Sequence, residues 1–431
     1  MTKKTRYLLL LIGFFLFLIL APTIVFYVRG ITYDFNKKVF VTTGILAVRN
    51  DPKDADIYLN GKLKRQSSGD IKFVVPGEYE VTVKKDGYLT WSKRLNILSG
   101  QVTWGSPAFN KIYLLLQDPP IKQVAKEVSD VYVQGDRIVY LANNNLTLTS
   151  ATNPTDNKNF SMPLGLDTII TADNDLSNLI LTGAGATSTK ISLFNKSLEQ
   201  FYDLSGLFKT PPEFGFGNGN LFALSDNTLY TVDRNKKTKT VVFSGVQAFN
   251  FQDGRLYFVQ KNPPYQPGLY ASEGAFSSSQ KLMDNLPDSS SIRIFITYEK
   301  QIFLISDNTL YLANSSMEKL ADNINYFNFQ LNDSALTIIH SGQADYFDPL
   351  SNNLNYITRT SENLKNLTVK SNIGQAFYLT DGKIKSIELD TRDRQNQYII
   401  YQGDVEKFFV DNAAKNIILL DGGILKNITI R

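Results

Sequence analysis

The chain of 431 residues contains no cysteine, one histidine, four methionines and two tryptophans. Without thiols there is no disulfide framework, no thiolate zinc ribbon, no iron–sulfur cluster and no cysteine nucleophile, and a single imidazole excludes any site that needs two. Charge is also sparse: Asp, Glu, Lys and Arg make up 20% of the residues and leave a net +4. That excess is uneven, at +3 over residues 1–6, +2 over 29–42, +3 over 43–118 and −4 over 119–431. A nucleic-acid footprint needs a strong basic stripe, so no nucleic-acid partner is expected. What is plentiful is aromatic and aliphatic side chain, with 28 Phe, 22 Tyr and 43% hydrophobic residues in all, the composition of folded domains.

The long apolar run comes first. Tyr7 to Val28 are 22 residues without a charge, and as a helix rising about 1.5 Å per residue they span roughly 33 Å, enough for a hydrocarbon core of about 30 Å. A cleavable signal has a shorter apolar core of about 7 to 15 residues, so an uncleaved transmembrane helix is expected at 7–28, kinked at Pro22. Lys3, Lys4 and Arg6 before it are answered by Arg29, Lys37 and Lys38 after it, which leaves the positive-inside count nearly even. The short amino-terminal tail decides the expected topology: a cytoplasmic tail at 1–6, a juxtamembrane linker at 29–42, and all later residues extracytoplasmic.

From Gly44 the pattern becomes one of short strands and turns. Ile45 to Val48 and Ile57 to Leu59 are strand-like, Asn60-Gly61 is a strong hairpin signal, and Tyr79, Val81 and Val83 alternate with polar neighbours. Pro52-Lys-Asp-Ala55, Asn60-Gly61, Val75-Pro76-Gly77-Glu-Tyr79 and Lys85-Asp86-Gly87-Tyr88, in that order, resemble a PEGA domain over about residues 43–118. The eponymous Pro-Glu-Gly-Ala reads Pro-Lys-Asp-Ala here, and the usual Thr-Pro after the Gly turn is absent around Gln66 to Ser68. The resemblance implies a compact extracytoplasmic β-sandwich, common in prokaryotic surface proteins, that spaces or binds and has no catalytic residues.

Residues 119–431 repeat. The hexapeptide Ser-Asp-Asn-Thr-Leu-Tyr occurs at 225–230 and again at 306–311, each time after an apolar strand. Related strand–turn–strand units recur about every 40 residues through the rest of the chain, the size of a propeller blade of three or four strands. The expected fold is therefore all-β with one amino-terminal transmembrane helix: a small PEGA-like sandwich at 43–118 and an eight-bladed β-propeller at 119–431, seven blades being the alternative and a β-solenoid the structural rival. The last repeat lacks its outer strand, and Ile121 to Ala125 are expected to supply it and close the ring.

Residues with chemistry are few. Any triad must pass through His340, with no Gly-x-Ser-x-Gly elbow beside it. Asp173-Asn-Asp175, Asp345-Tyr-Phe-Asp348 and Asp390-Thr-Arg-Asp393 are oxygen-rich, yet none has the Gly and distal Glu of a calcium loop, and turn chemistry accounts for them. Gly183 to Thr189 lacks the Lys of a phosphate loop. No catalytic, cofactor or metal residue is therefore assigned. Longer turns at 183–190, 261–268 and 341–348 are expected on one propeller face, where Tyr265, Tyr346 and Phe347 would offer an aromatic surface to an envelope protein or glycan. The functional expectation is a membrane-anchored extracytoplasmic binding or scaffolding protein of a prokaryotic cell envelope, non-catalytic; the alternative is an envelope carbohydrate-active hydrolase or lyase with its site in the propeller.

Overall fold

The computed structural model describes residues 3–35, 37–106, 111–151, 157–184, 189–261, 267–274, 276–297, 300–314, 316–330, 335–348 and 352–431. Lys3–Val28 form one helix, α1, which includes Pro22. Its stretch Thr5–Val28 is long and apolar enough to cross a membrane, and none of the residues in its most apolar 18-residue window is buried. The stretch 29–42, expected as a linker, is ordered differently. Gly30 takes a positive φ of 68° and turns the chain back, and Ile31–Asp34 then pairs antiparallel with Val39–Thr42.

Next comes a small sandwich. One layer is a four-stranded sheet ordered Lys62–Arg65, Asp56–Leu59, Gly77–Lys84, Trp91–Ile97; the other joins Val102–Trp104, Gly44–Val48 and Gly69–Val74. The alternation read in Gly77–Lys84 is the reason: Val81 and Val83 point inward onto Leu46, Val48, Ile57, Trp91 and Leu95, while Thr82 and Lys84 face away.

From 121 to 429 the described residues form eight four-stranded antiparallel sheets: sheet 1 (128–161), sheet 2 (168–203), sheet 3 (213–244), sheet 4 (246–283), sheet 5 (292–321), sheet 6 (324–359), sheet 7 (364–402) and sheet 8 (405–429). Sheet 8 supplies only three strands in sequence. Its outer strand is Ile121–Ala125, antiparallel to Ile424–Thr429, the pairing expected from the missing strand of the last repeat.

Core packing makes these sheets a ring. Each apolar cluster in this region is shared by two consecutive sheets. Phe160 and Phe194 join sheets 1 and 2, Ile180 and Phe214 join 2 and 3, Phe222 and Phe258 join 3 and 4, and Val259 and Ile294 join 4 and 5. The series continues through Phe303 with Leu336, Ile339 with Leu367, and Phe377 with Phe408. It ends where Ile138 and Tyr140 of sheet 1 pack on Ile418 and Leu420 of sheet 8, so the architecture is a closed β-propeller. In Arg137–Ala142, Ile138 and Tyr140 turn to sheet 8 while Val139 and Leu141 turn to sheet 2. A strand covered on both faces needs an unbroken apolar run rather than alternation, which is why the repeats read as they do.

The turn between the second and third strands is tight in most sheets. Asn143-Asn144, Asp226-Asn227 and Asp307-Asn308 each place two successive residues at positive φ, as do Ser341-Gly342, Asp381-Gly382 and Gly422-Gly423. This is the two-residue hairpin for which Asn, Asp and Gly are suited, and it explains the identical hexapeptides.

Candidate functional site

Neighbouring strands run in opposite directions, so the turns between strands 1 and 2 and between strands 3 and 4 of every sheet emerge on one face of the propeller, here called the front. Turns between strands 2 and 3, and the crossings from sheet to sheet, lie on the back. The front carries both a cavity and a buried charge cluster.

The cavity, about 560 Å³, opens over sheets 2, 3 and 4. Its floor depends on small residues: a Cβ at Gly217 would fall 2.1 Å from the ring of Phe251, so the missing side chain is what admits that ring. Phe251 then stacks on Phe222 with centroids 5.9 Å apart. The wall is an amide network centred on Asn178. Its Oδ1 accepts from Asn195 Nδ2 at 2.7 Å and Arg234 Nη1 at 3.3 Å, and its Nδ2 donates to Asp173 Oδ2 at 2.6 Å. Asp173 Oδ1 accepts the backbone N–H of Ser177 at 2.7 Å and of Asn178 at 3.0 Å. Burial, aided by the nearby Asp175, pushes the Asp173 carboxyl up, whereas the Ser177 hydroxyl holds Asp175 down. These two carboxylates are occupied by donors of their own turn, so they shape the wall. Asn218, Asn220, Asn235 and Gln252 also line the cavity, and together these groups suit a polar ligand with an exposed flat face.

The charge cluster joins the sandwich to sheet 7. Lys93 of the sandwich, its side chain fully buried, lies 3.2 Å from Glu388 and 3.4 Å from Asp390, and its Nζ donates to the Asp390 carbonyl at 2.6 Å. Trp91 Nε1 donates to Glu388 Oε1 at 2.9 Å. Arg392 binds both Asp390 oxygens and donates to the carbonyls of Trp104 at 2.9 Å and Gly105 at 2.8 Å. Burial opposes charge on Asp390, but Arg392 and Lys93 outweigh it and hold its carboxyl below the usual range. Around this clamp, Tyr398 donates to the Thr90 carbonyl at 2.7 Å, and Leu89, Tyr113 and Leu115 enter the core shared by sheets 7 and 8.

Of the three residues expected to form an aromatic face, the two that the structure describes are placed otherwise. Tyr265 lies outside the described residues. The turn expected to run over 341–348 is only Ser341-Gly342, and Gln343–Asp348 is a strand. Phe347 is 1% exposed and packs edge-on against Phe303 at 4.8 Å, so it is core between sheets 5 and 6. Tyr346 is half-buried opposite Thr337. Gly at 342 lets the chain reverse in two residues, and the strand begins at once. The connections at 183–190 and 261–268 do stay longer, between Asn178–Gly183 and Lys190–Asn195 and between Arg255–Gln260 and Gly268–Glu273.

His340 Nε2 contacts Asp345 Oδ2 at 2.6 Å, and Gln343 also donates to that carboxylate. No hydroxyl among the described residues bonds to this imidazole. The three oxygen-rich segments therefore serve a turn, a hairpin and the clamp, and no group of three metal-ligating side chains occurs among the described residues.

Sequence reasoning missed two sets of residues. One is the clamp, whose partners are about 300 positions apart. The other is a series of amide staples between inner strands: Asn250 Nδ2 donates to the Ile294 carbonyl at 2.9 Å, Asn328 Nδ2 to Leu367 at 3.3 Å, and Asn366 Nδ2 to Phe408 at 3.4 Å. The repeated Phe-Asn-Phe at 249–251 and 327–329 was the signal for the first two.

Comparison with known proteins bears on the sandwich. Residues 43–112 match the PEGA domain family. The PEGA domain thus coincides with the unit that carries Trp91 and Lys93. No curated protein matches the chain by sequence. Among solved structures, a eukaryotic initiation factor is 10% identical with a TM-score of 0.49 over 71% of this chain and 86% of that one. Dipeptidyl peptidase 4 of Porphyromonas gingivalis is 10% identical with a TM-score of 0.48 over 69% of this chain and 56% of that one. The Dos1 propeller is 9% identical with a TM-score of 0.47 over 73% and 95%.

Proposed function

We propose that the chain is a membrane-anchored, extracytoplasmic binding or scaffolding protein of a prokaryotic cell envelope, with α1 as the anchor, the PEGA domain as a rigid spacer and the front cavity of the propeller as the recognition site. The observation that carries this reading is the division of the front face. The PEGA domain is clamped to sheet 7 and its end packs on the core of sheets 7 and 8, and the cavity opens over sheets 2 to 4, across the ring from the clamp. A spacer that occupies one side of a disc and leaves the cavity open is suited to presenting that cavity. The amides, the Arg234 guanidinium and the aromatic floor favour an envelope glycan or the polar surface of an envelope protein as ligand. The cavity's Asp173 and Asp175 are bound by their own turn, which favours binding over hydrolysis.

The test compares the full chain with Asn235→Trp, which fills the cavity mouth, and Asn220→Ala, against an array of envelope glycans and by crosslinking in envelope membranes. Loss of a captured ligand in both variants is the expected result. Equal capture by all three proteins removes the cavity from the reading, and glycan cleavage by the wild type replaces binding with catalysis.

A further inference from the structure

We propose that the hairpin 31–42, together with the corner of the PEGA domain around Phe73, is a collar that seats the protein on an anionic lipid surface. This rests on the membrane-anchor reading of α1 and deepens it by assigning a second, peripheral contact with the same bilayer.

Three observations converge. First, the hairpin is tied to the end of α1. Gly30 N–H donates to the Tyr27 carbonyl at 3.1 Å, Thr43 N–H donates to the Gly30 carbonyl at 2.7 Å, and the Phe40 ring lies 5.5 Å from Phe26 in the last helical turn. Phe26 belongs to the apolar stretch that ends at Val28, so whatever depth that turn occupies, Phe40 shares it to within one turn of helix.

Second, the aromatic side chains here are not folded away. Phe35 is 83% exposed, Phe40 63% and Phe73 43%, with Val39 also exposed between the hairpin's aromatics. Tyr33 packs edge-on against Phe35 and Phe40 at 5.2 and 5.3 Å, which makes one continuous patch. Phe73 reaches the same end of α1 through an unusual backbone. In Gly69–Val74, Ile71 and Val74 are buried and both Lys72 and Phe73 are exposed, because the register slips opposite Gly44 and Leu46. Phe73 sits at φ 59°, a conformation unfavourable for a bulky residue, and its ring stands 5.0 Å from Tyr27. A bulge that takes an aromatic ring out of a sandwich core and sets it beside the end of an apolar helix fits a site where the ring is wanted outside.

Third, the exposed charges next to these aromatics along the chain, Arg29, Lys37, Lys38 and Lys72, are basic, and Asp70 on the Phe73 strand is paired with Arg49. Asp34, the acidic residue of the hairpin, is buried and accepts the Lys37 backbone N–H at 3.2 Å. Aromatic rings at the level of the headgroups with cations beside them match an anionic bilayer surface, whereas a partner protein would be expected to pair with both the rings and a fixed set of charges.

The absence of cysteine makes the test clean, because single cysteines can be introduced into the full chain and labelled with an environment-sensitive fluorophore. Val39→Cys reports on the hairpin, Phe15→Cys on the helix and Glu318→Cys on an outer propeller strand. The proteins are reconstituted in nanodiscs of phosphatidylcholine with or without phosphatidylglycerol. The expected result is that lipids spin-labelled near the headgroup quench the label at position 39 by about half, that lipids spin-labelled deep in the acyl chain quench position 15, and that position 318 is unchanged by either. Adding Phe35→Ser with Phe40→Ser, or Lys37→Glu with Lys38→Glu, should reduce that quenching about twofold, the charge change only in phosphatidylglycerol discs. If position 15 is quenched by lipid but position 39 behaves like 318 toward aqueous iodide, the collar is wrong and the anchor stands. If position 15 is not quenched by lipid, both fall. If position 39 is shielded from lipid and iodide alike, protein covers the patch and the proposal is overturned.

Discussion

Lys93 shows what a single residue can decide here. Its ammonium is the buried counter-charge for Glu388 and Asp390, and a buried pair is costly to break because the partner is left uncompensated in a poorly solvated place. Lys93→Met is expected to destabilise the protein by about 3 to 5 kcal/mol, measured as a fall in the denaturant midpoint. A triple change that also removes the Glu388 and Asp390 carboxylates should recover part of the loss. Gly217 is the converse case, a residue needed for what it lacks. Gly217→Ala would drive a methyl into the Phe251 ring, and overpacking of this kind costs about 1 to 3 kcal/mol. The same substitution should displace Phe251 from the cavity floor, so ligand binding is expected to weaken more than stability does.

Among elements, the strand Ile121–Ala125 has the largest consequence for its size. It covers the outer edge of Ile424–Thr429, and without it sheet 8 would expose an unpaired row of backbone donors and acceptors. Deletion of 121–125 is expected to lower the melting temperature and to produce concentration-dependent association in light scattering, while the isolated far-ultraviolet spectrum stays β-rich. A monodisperse deletion variant with unchanged melting would show that the pairing contributes little. The hairpin 31–42 is an element of another kind. Two four-residue strands make a marginal structure in water, and it is held here by the Phe40–Phe26 ring contact and by the Ser99 hydroxyl of the sandwich, which donates to the Thr42 carbonyl at 3.0 Å.

For the whole molecule, the clamp predicts that the PEGA domain and propeller move as one body. Spin labels at Asp86→Cys and Glu318→Cys should give a single narrow distance distribution that broadens in Arg392→Ala, since Arg392 ties Asp390 to the Trp104 and Gly105 carbonyls. Acidity should act the same way. The Asp390 carboxyl is held below its ordinary value of 3.8, so the stability it contributes is present above that pH and is lost as the pH falls further and the folded carboxyl protonates. Broadening of the distance distribution is therefore expected only below about pH 4. Broadening at neutral pH would point to a different joint.

By itself the sequence determined the apolar helix, the repeat period near 40 residues, the strand that closes the ring and the outline of the PEGA domain. Each of these is written in local pattern: an uncharged run, an apolar strand before Asp-Asn, a missing fourth strand, turns at Asn60-Gly61 and Pro76-Gly77. Tertiary structure decided the rest because the deciding contacts are distant in sequence or depend on side-chain direction. Phe347 reads as an exposed loop aromatic until the two-residue turn at Ser341-Gly342 fixes its strand and sends it inward. Asp390 and Asp393 read as an oxygen-rich cluster until Lys93 and Arg94, some 300 residues earlier, arrive as their partners. The cavity takes residues from three sheets whose turns meet only once the ring has closed, and no local periodicity encodes that meeting.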